Sequence, residues 1–350
     1  MADRDLSESL VDAVVRARAE GVGVAITGTG SKDFLVRADS DETQSRLLSV
    51  VEHSGVVAYR PDELVLTARA GTPLRDLVTV LARENQILPF EPPIFLGSGT
   101  LGGAIASGLA GPARPWRGSV RDAVLGVVMI NGLGQQLTFG GQVMKNVAGY
   151  DVSRLQVGAF GTLGVLLEIS IKVLPKPACE LTQQLELSAE DALTKMRQWA
   201  RHPLPITASC FYERTLYVRL SGAESSVHTG AGIIGGESSA DSIFWRKLND
   251  HELPFFKKQG ALLRQMVPPA SKLVATAGVL EWSGAKRWFY ASANECASVD
   301  AKLFGAGFAK ESVSAPGGDE VLGDLQRRIK HAFDPENVLN PELLRADQAA

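Results

Sequence analysis

Residues 89–111 read PFEPPIFLGSGTLGGAIASGLAG, a stretch in which glycine, alanine and serine crowd together. Positions with so few side-chain atoms let backbone N–H groups come close to a flat or anionic ligand. The stretch therefore predicts a nucleotide-binding turn. A tight structural loop that binds nothing is the alternative.

The same stretch also matches a better-known pattern. Three of its glycines, starting at Gly97, satisfy G-x-G-x-x-G, and Asp122 lies about twenty residues further on, as in Rossmann dinucleotide-binding folds. That motif requires a strand that runs into the first glycine. Pro92 and Pro93 leave only residues 94–96 for it, since proline cannot donate a ladder hydrogen bond. We therefore predict a nucleotide-binding geometry other than the Rossmann fold.

A second turn of small residues, TGTGSK at 27–32, follows an alternating stretch at 22–26 that predicts a short strand. Successive backbone N–H groups in such a turn form a nest for an anion, and the hydroxyl groups and Lys32 add donors. The turn suits a diphosphate, although it lacks the Walker pattern. The alternative is a plain strand-to-loop turn with a solvated lysine.

Composition narrows the class of protein. A chain of 350 residues with 45% hydrophobic residues has room for two domains and a sizeable core. A formal charge of −3 argues against nucleic acid or an anionic membrane surface as the main partner. The acidic N-terminal stretch has no long apolar run, so we expect neither a signal peptide nor a membrane span.

The three cysteines, Cys179, Cys210 and Cys296, stand far apart in the sequence and form no C-x-x-C pair. This spacing disfavours a disulfide framework and a zinc or iron–sulfur site within the chain. We interpret the cysteines as core thiols of a cytoplasmic protein and predict no metal site.

Hydrophobic spacing predicts the secondary structure of the first half. Helices are expected at about 6–20 and from Thr72-Pro73 onward, the latter with a buried face that includes Val78. Strands are expected at 56–59, 64–68, 124–130, 135–139 and 166–173.

Two prolines, Pro175 and Pro177, predict a domain boundary, because they resist continuation of helix or sheet. We expect domains at 1–175 and 176–310 and a C-terminal segment at 311–350 that packs back on the first domain. In the second domain we predict helices after Ser188 and at 240–251, with a glycine-rich segment between them, and strands at 206–212, 215–220, 261–267 and 273–282. The C-terminal segment should begin with a helix whose apolar residues are Val321, Leu322, Leu325 and Ile329.

Taken together, these motifs resemble the flavoprotein family of vanillyl-alcohol oxidase and the D-lactate and D-2-hydroxyglutarate dehydrogenases. The resemblance rests on the turn at 28–32 and on the stretches 70–72, 88–90, 100–106, 118–122, 140–151 and 161–165. Within that family the chain is similar to the FAD-binding subunits of bacterial glycolate oxidases (glycolate dehydrogenases), through residues 114–116, 143–151, 203–206 and 253–256. The implied fold class is α+β: a two-lobed, PCMH-type FAD-binding domain, a smaller ferredoxin-like α+β cap, and a C-terminal return segment.

The resemblance also implies where FAD lies. It places the FAD diphosphate between the turn at 27–32 and the glycine-rich stretch at 89–111. It places the flavin end of the cofactor beside the stretch at 161–165. The cofactor-binding residues it implies are Gly28, Thr29, Gly30, Ser31, Lys32, Ser98, Gly99, Thr100, Gly102, Gly103, Ser107, Gly161, Gly164 and Val165. These loops offer no histidine or cysteine as a tether, so non-covalent FAD is implied. We expect bulk at Gly30 or Gly102 to lower the flavin content while the secondary structure survives.

The activity implied by the resemblance is oxidation of glycolate, a 2-hydroxy acid, to glyoxylate. The implied partners are a larger FAD-containing subunit with a complete substrate site and an iron–sulfur subunit that takes the electrons, at the cytoplasmic face of the membrane. Two alternatives stay open: a self-sufficient oxidase of another 2-hydroxy acid or a sugar lactone, and a non-catalytic scaffold with an idle flavin.

The catalytic groups are not evident from the sequence. Oxidation of a 2-hydroxy acid needs a base for the hydroxyl proton and a cation for the carboxylate. The related dehydrogenases have a histidine-rich, metal-linked site, whereas this chain has no histidine between His251 and His331. The isolated chain should therefore oxidise glycolate very slowly. The candidate ligands for the substrate carboxylate are Arg264 and Arg287, and also Arg219. We expect three histidines to be structural or surface residues: His53, His202 and His228. We expect four aromatic residues to pack in the core: Trp282, Trp288, Phe289 and Tyr290.

Overall fold

The computed structural model describes residues 3–36, 45–141, 151–241, 243–273, 278–291, 301–306, 308–313 and 320–344. Two predicted features, the stretch 143–150 and Cys296, lie outside these ranges. The helices are α1 (Ser7–Ala19), α2 (Leu74–Arg83), α3 (Leu101–Ser107), α4 (Arg114–Arg117), α5 (Val120–Ala123), α6 (Ala189–Trp199), α7 (Glu224–Ile234), α8 (Phe244–Asn249), α9 (Phe308–Val313) and α10 (Glu320–Phe333). None of the helices in these ranges is long and apolar enough to cross a bilayer.

The strands come in short runs between these helices. They are β1 (Val24–Thr27), β2 (Arg46–Ser49), β3 (Val56–Arg60), β4 (Val65–Arg69), β5 (Gln86–Ile87), β6 (Val124–Ile130), β7 (Gln136–Gly140), β8 (Val165–Lys172), β9 (Leu174–Pro175), β10 (Cys179–Glu186), β11 (Ile206–Tyr212), β12 (Thr215–Gly222), β13 (Glu237–Ser238), β14 (Ala261–Met266), β15 (Val279–Glu281), β16 (Lys286–Ala291) and β17 (Lys302–Leu303). The mixture of helices and antiparallel sheets is α+β, as predicted.

The first half of the chain forms two lobes. In one, β1 and β2 pair in parallel, and α1 packs on them through Leu10 and Val14. In the other, an antiparallel sheet of order β3-β4-β8-β6-β7 packs against α2 and α3. Because β1 ends where the TGTGSK turn begins, the sheet of the first lobe holds that turn against the second lobe.

Helix α2 shows how the hydrophobic spacing determines which side chains are buried. Leu74, Leu77 and Leu81 lie three and four residues apart, so they share one face, and all three are fully buried. Val78 was predicted on that face, but it is 49% exposed. Val78 lies four residues after Leu74, about 40° around the helix from it on the side away from Leu77 and Leu81, so it is at the exposed edge of the buried stripe.

The Rossmann interpretation is excluded by the local structure. Residues 95–97 form a short 3₁₀ turn rather than a strand, with Leu96 in the left-handed region at φ 53°. Asp122 accepts hydrogen bonds from the backbone N–H and hydroxyl of Ser119 in a capping box at the start of α5. Its carboxylate therefore serves the helix end rather than a ribose.

The second half is built on an antiparallel sheet of order β13-β10-β12-β11-β15-β16-β14-β17. This sheet begins at Cys179, just after the boundary that the prolines predict. The glycine-rich segment after β12 contains a helix, α7, that was not predicted. A glycine in that helix, Gly230, explains its close packing, since a Cβ there would lie 3.0 Å from Pro205. Cys210 is buried in this sheet and Cys179 is half-buried; both are free thiols.

The two units share an apolar cluster, in which Phe95 and Phe160 of the first pack with residues of the second such as Trp288, and polar contacts flank it. Glu91 of the first unit accepts a hydrogen bond from Arg219 of the second at 2.6 Å. Asp250 accepts one from the Ile94 N–H at 2.7 Å. The indole N–H of Trp282 donates to the Gly111 carbonyl at 3.1 Å. These contacts fix the walls of a cavity between the units, described below.

The C-terminal segment differs from the prediction in its apolar residues. Val321 is 82% exposed and Leu325 49% exposed, so they do not attach α10 to the protein. The helix is attached at its end instead. Phe333 packs against Phe139 of the first unit, with ring centroids 6.0 Å apart, and Lys330 is fully buried and donates to the carbonyls of Thr162 at 2.9 Å and Leu339 at 2.8 Å, and to the Asp334 carboxylate. Helix α9 crosses the boundary expected at residue 310, and Phe308 and Val313 pack in the core of the second unit.

Candidate flavin site

A cleft between the two lobes is lined by the TGTGSK turn. Gly30 has φ +73°, the left-handed region that glycine favours. A Cβ at Gly28 would lie 2.8 Å from the Thr100 hydroxyl across the cleft. Among the described residues, the backbone N–H groups of 28–32 donate to no backbone carbonyl. The turn therefore presents free donors at a place where only a bare backbone fits, as an anion nest requires.

The opposite wall is the start of α3. Thr100 caps this helix by accepting a hydrogen bond from the Gly103 N–H at 3.1 Å, and Gly103, Ala106 and Ser107 face the cleft. Gly102 also borders it. A Cβ at Gly102, however, would meet the Cβ of Ala70 at 2.8 Å. The expectation that bulk at Gly102 would meet the phosphate is corrected: it would first disturb the packing of α3.

The structure brings most of the predicted cofactor residues together. The cleft is lined by Gly28, Thr29, Gly30, Ser31, Lys32, Thr100, Gly102, Gly103, Ser107, Gly161 and Gly164. Ser98, Gly99 and Val165 do not line it. The Val165 side chain is fully buried in the core with Leu10 and Val14, and Gly99 lies behind the wall, where its carbonyl accepts from the Leu74 N–H.

Lys32 is the one cation in the turn. Its ammonium lies 3.5 Å from the Pro93 carbonyl and 5.7 Å from the Phe95 ring. Burial lowers the pKa of Lys32 to about 8, and the charge of Asp250 opposes this shift. The ammonium is thus poorly compensated within the protein, which favours an anion in the cleft.

Asn340 is a cleft residue that sequence reasoning missed. Its side-chain oxygen accepts from the Ile26 N–H at 2.8 Å, and its amide donates to the Phe160 carbonyl at 2.6 Å. Both of these residues line the cleft. The only signal in the sequence was the VLNP stretch at 338–341, a turn motif with no evident role.

A second cavity, of about 260 Å³, lies between the two units. We call it the interface cavity. Its polar lining includes Arg114, His251, Arg264 and Lys286, and its apolar lining includes Phe95, Trp282, Trp288 and Phe304. Of the three candidate carboxylate ligands, the structure therefore places Arg264 at this cavity.

The other arginine candidates have structural partners. Arg287 is buried and donates to the carbonyls of Gly284, Lys272 and Ser271 at 2.6–3.0 Å, so its guanidinium holds a loop and does not face the interface cavity. Arg219 binds Glu91. Both were proposed from residue type alone, and backbone carbonyls brought close by folding are invisible in a sequence.

The histidines divide in the same way. His53 is buried, and its ring accepts a hydrogen bond from the Leu6 N–H at 3.0 Å. His202 and His228 are exposed. All three are therefore structural or surface residues, as predicted. His251, which sequence reasoning passed over, lines the interface cavity with its ring stacked on Phe256 at 4.0 Å. Burial holds the pKa of His251 well below its usual value.

Comparison with known proteins identifies the fold and the family. A model of the FAD binding domain matches residues 6–140. The chain is similar to glycolate oxidase subunit GlcE of Escherichia coli (strain K12), with 41% identity over 349 residues that cover 98% of each chain. It is also similar to glycolate oxidase subunit GlcD of Bacillus subtilis (strain 168), with 31% identity over 141 residues, 40% of this chain and 30% of that one.

A solved structure supports the same fold. The structure of p-cresol methylhydroxylase matches with a TM-score of 0.74 and 12% identity, over 100% of this chain and 89% of that one. Together with the cleft between the lobes, these findings confirm the predicted FAD-binding architecture. The chain belongs to the family of glycolate oxidase subunit GlcE, and it is an FAD-dependent oxidoreductase.

Proposed function

We propose that this protein is the FAD-carrying subunit of a complex that oxidises glycolate to glyoxylate. The observation that carries the proposal is the cleft of free backbone donors between the two lobes, in a chain that matches subunit GlcE over nearly its whole length. When bound, FAD supplies the acceptor for the hydride that leaves the substrate carbon. The chain's own residues bind the cofactor and shape the surroundings of the reaction.

In this proposal the FAD diphosphate lies against the N–H groups of the TGTGSK turn and the start of α3. Lys32 adds a positive charge from one wall, and the Ser31 and Thr100 hydroxyls add donors. Gly161 and Gly164 border the far part of the cleft. Among the residues that the structure describes, those that line the cleft include no histidine and no cysteine, which supports non-covalent attachment.

We propose that the partners are a larger FAD-containing subunit and an iron–sulfur subunit. The likeness of part of this chain to subunit GlcD supports a complex in which two flavoprotein subunits share one fold. An iron–sulfur subunit would carry the electrons onward, and the assembly would work in the cytoplasm at the inner face of the membrane, held there through the partners.

Flavin analysis tests the cofactor part of the proposal. The purified chain should carry about one FAD, which acid precipitation should release without proteolysis. FMN alone, or flavin that stays attached to the precipitate, would contradict it.

Anaerobic mixing with glycolate tests whether this chain alone, or only the complex with its partner subunits, oxidises the substrate. In the isolated chain, we expect the flavin absorbance near 450 nm to bleach slowly or not at all, and dye reduction to appear when the partner subunits are added. Rapid and complete bleaching without a partner would show that this chain is a self-sufficient dehydrogenase.

A further inference from the structure

A buried histidine joins the two lobes next to the flavin cleft. His53 lies in the segment between β2 of the first lobe and β3 of the second, and its side chain is fully buried. Its Nδ1 accepts a hydrogen bond at 3.0 Å from the N–H of Leu6, the residue just before α1. Its Nε2 lies 3.2 Å from the Leu167 carbonyl of β8, in the second lobe. The ring therefore links the start of α1 to the sheet of the other lobe.

Hydrogen bonds continue from this ring to the wall of the cleft. The Leu167 carbonyl also accepts the Ala70 N–H at 2.7 Å, and the Ala70 carbonyl accepts the Gly102 N–H at 2.8 Å, at the start of α3. Ala70, Gly102 and Leu166 line the cleft. His53 is thus one end of a continuous path of hydrogen bonds whose other end is the wall formed by α3.

The bonds of the ring require its neutral form in one tautomer. The Leu6 N–H is a donor, so Nδ1 is unprotonated, and Nε2 then carries the proton that is donated to Leu167. A proton on Nδ1 would bring two N–H donors face to face at 3.0 Å. Burial lowers the pKa of His53 below its usual value, although the charge of Asp5 opposes this shift. The fold therefore favours the neutral ring.

A different partner for the protonated ring lies close by. The Asp5 carboxylate is 3.7 Å from Nδ1. It accepts hydrogen bonds from the hydroxyl and the N–H of Ser7 at 2.7 and 2.9 Å, and these bonds lower the pKa of Asp5 to about 2, so the carboxylate is charged near neutral pH. A protonated His53 would turn to this carboxylate, lose its bond to the Leu6 N–H and compete with Ser7 at the start of α1.

The other charged side chains near the ring do not offer it a second acceptor. They face one another, with Arg69 of β4 bound to Asp3 and Asp5, Arg4 bound to Glu52, and Glu168 of β8 opposite Arg69 in the sheet. The positive charge of Arg69 also opposes protonation of His53. Asp5 is therefore the acceptor that a protonated ring would use.

We propose that neutral His53 is a positioning residue for FAD, and that its protonation loosens the contact between the lobes and weakens FAD binding. The inference rests on the proposed function for the place of the cofactor. The chemical change is the addition of one proton from solvent to Nδ1, after which the Leu6 N–H has lost its acceptor and the ring bonds to Asp5. The wall that Ala70 and Gly102 share with the cleft then loses its support from α1.

The test is the dissociation constant of FAD, measured by equilibrium dialysis of the purified chain between about pH 7.5 and pH 5, the range in which histidine titrates. Because FAD binds the form with the neutral ring, its affinity should be full at the upper end and be lost as the pH falls through the pKa of His53. The dissociation constant should rise by up to about tenfold per pH unit. A constant value over this range would overturn the proposal. Circular dichroism at each pH controls for unfolding.

The variant His53→Gln removes the titrating group and keeps an amide donor within reach of the Leu167 carbonyl. Its FAD affinity near pH 7.5 should be about 2- to 10-fold weaker, as for the loss of one hydrogen bond, and should no longer change toward pH 5. The matched control is His202→Gln, which removes an exposed histidine of the second unit and should keep the pH dependence of the unmodified chain. An undiminished pH dependence in His53→Gln would refute the assignment.

The variant Asp5→Asn gives a readout that a purely structural role of His53 would not produce. Without the carboxylate the protonated ring is less stable, so the midpoint of the pH profile should move to lower pH by roughly 0.5 to 1 unit, the effect of one opposite charge about 4 Å away. Asp5 is half exposed, so this variant also carries the test should His53→Gln fail to fold, and an unchanged midpoint would contradict the proposal.

FAD content separates this inference from the proposed function. An unmodified chain that binds no FAD near pH 7.5 would contradict the proposed function. Firm FAD binding that does not depend on pH would contradict only the role of His53.

Discussion

Two adjacent glycines in α3 should respond to substitution in opposite ways. A Cβ at Gly103 would have a single neighbour within 4 Å, the Thr100 hydroxyl at 3.2 Å, and it would project at the cleft. A Cβ at Gly102 would lie 2.8 Å from the Cβ and 3.0 Å from the carbonyl oxygen of Ala70, inside the protein. The first position tests cofactor binding, and the second tests packing.

The magnitudes follow from these contacts. Gly103→Val should lower the free energy of unfolding by at most about 1 kcal/mol, because its one close contact is the Thr100 side chain, which can shift at the cost of a weaker helix cap. It should lower the FAD content well below one per chain. Gly102→Ala should cost about 1–3 kcal/mol, the usual penalty for overpacking, and lower flavin content only as far as the fold is lost.

The assay is urea unfolding followed by circular dichroism of the flavin-free chains, together with the FAD released per chain after denaturation. Circular dichroism spectra before unfolding control for gross misfolding. A full complement of FAD in Gly103→Val would refute the placement of the cofactor in this cleft. Equal stability of Gly102→Ala and the unmodified chain would show that the contact with Ala70 relaxes freely.

Three further changes test other parts of the structure. The pKa of Lys32 is lowered to about 8 from 10.5, so its positive charge is lost as the pH rises through 8. The dissociation constant of FAD, measured by equilibrium dialysis, should therefore increase above pH 8 by up to about tenfold per pH unit. The variant Lys32→Met should abolish that pH dependence. Lys330→Met leaves the buried carboxylate of Asp334 without its cation, and urea unfolding should show a loss of about 3–5 kcal/mol; a loss below 1 kcal/mol would contradict the anchoring role of Lys330. Glu91→Gln deprives buried Arg219 of its carboxylate partner, so urea unfolding should show a loss of about 1.5–3 kcal/mol in the free energy of unfolding. The control is Glu63→Gln, which removes an exposed partner of Arg60 and should leave that free energy unchanged.

Local chemistry was enough to single out the turn at 27–32, which the structure places in the cleft between the lobes. The turn combines glycines with donors in one short segment, so its backbone conformation and its free donors follow from neighbouring residues. The capped start of α3 is likewise a local signal. Val165 is the instructive exception, because a residue next to a close-approach glycine can still direct its side chain into the core behind the cleft.

The interface cavity could not be predicted, because its walls come from distant parts of the chain. Phe95, His251, Arg264 and Lys286 meet only when the second unit docks on the first. The apolar spacing in α10 did not predict which of its side chains are buried, for a related reason. Val321 and Leu325 have the periodicity of a buried face, but whether a helical stripe is covered depends on what packs beside it. In α10 the covered residues are Lys330 and Phe333, near its end.

The hydrogen bonds of Asn340 have a consequence for the order of events during biosynthesis. Residues 26–32 form one wall of the cleft between the lobes, whereas Asn340, which contacts Ile26 and Phe160, lies more than three hundred positions later in the chain. The growing chain on the ribosome therefore has the turn at 27–32 long before it has the residue that joins the lobes around it. Capture of FAD should then follow release of the chain, and truncation just before Asn340 should leave a protein that folds in its parts and retains flavin poorly.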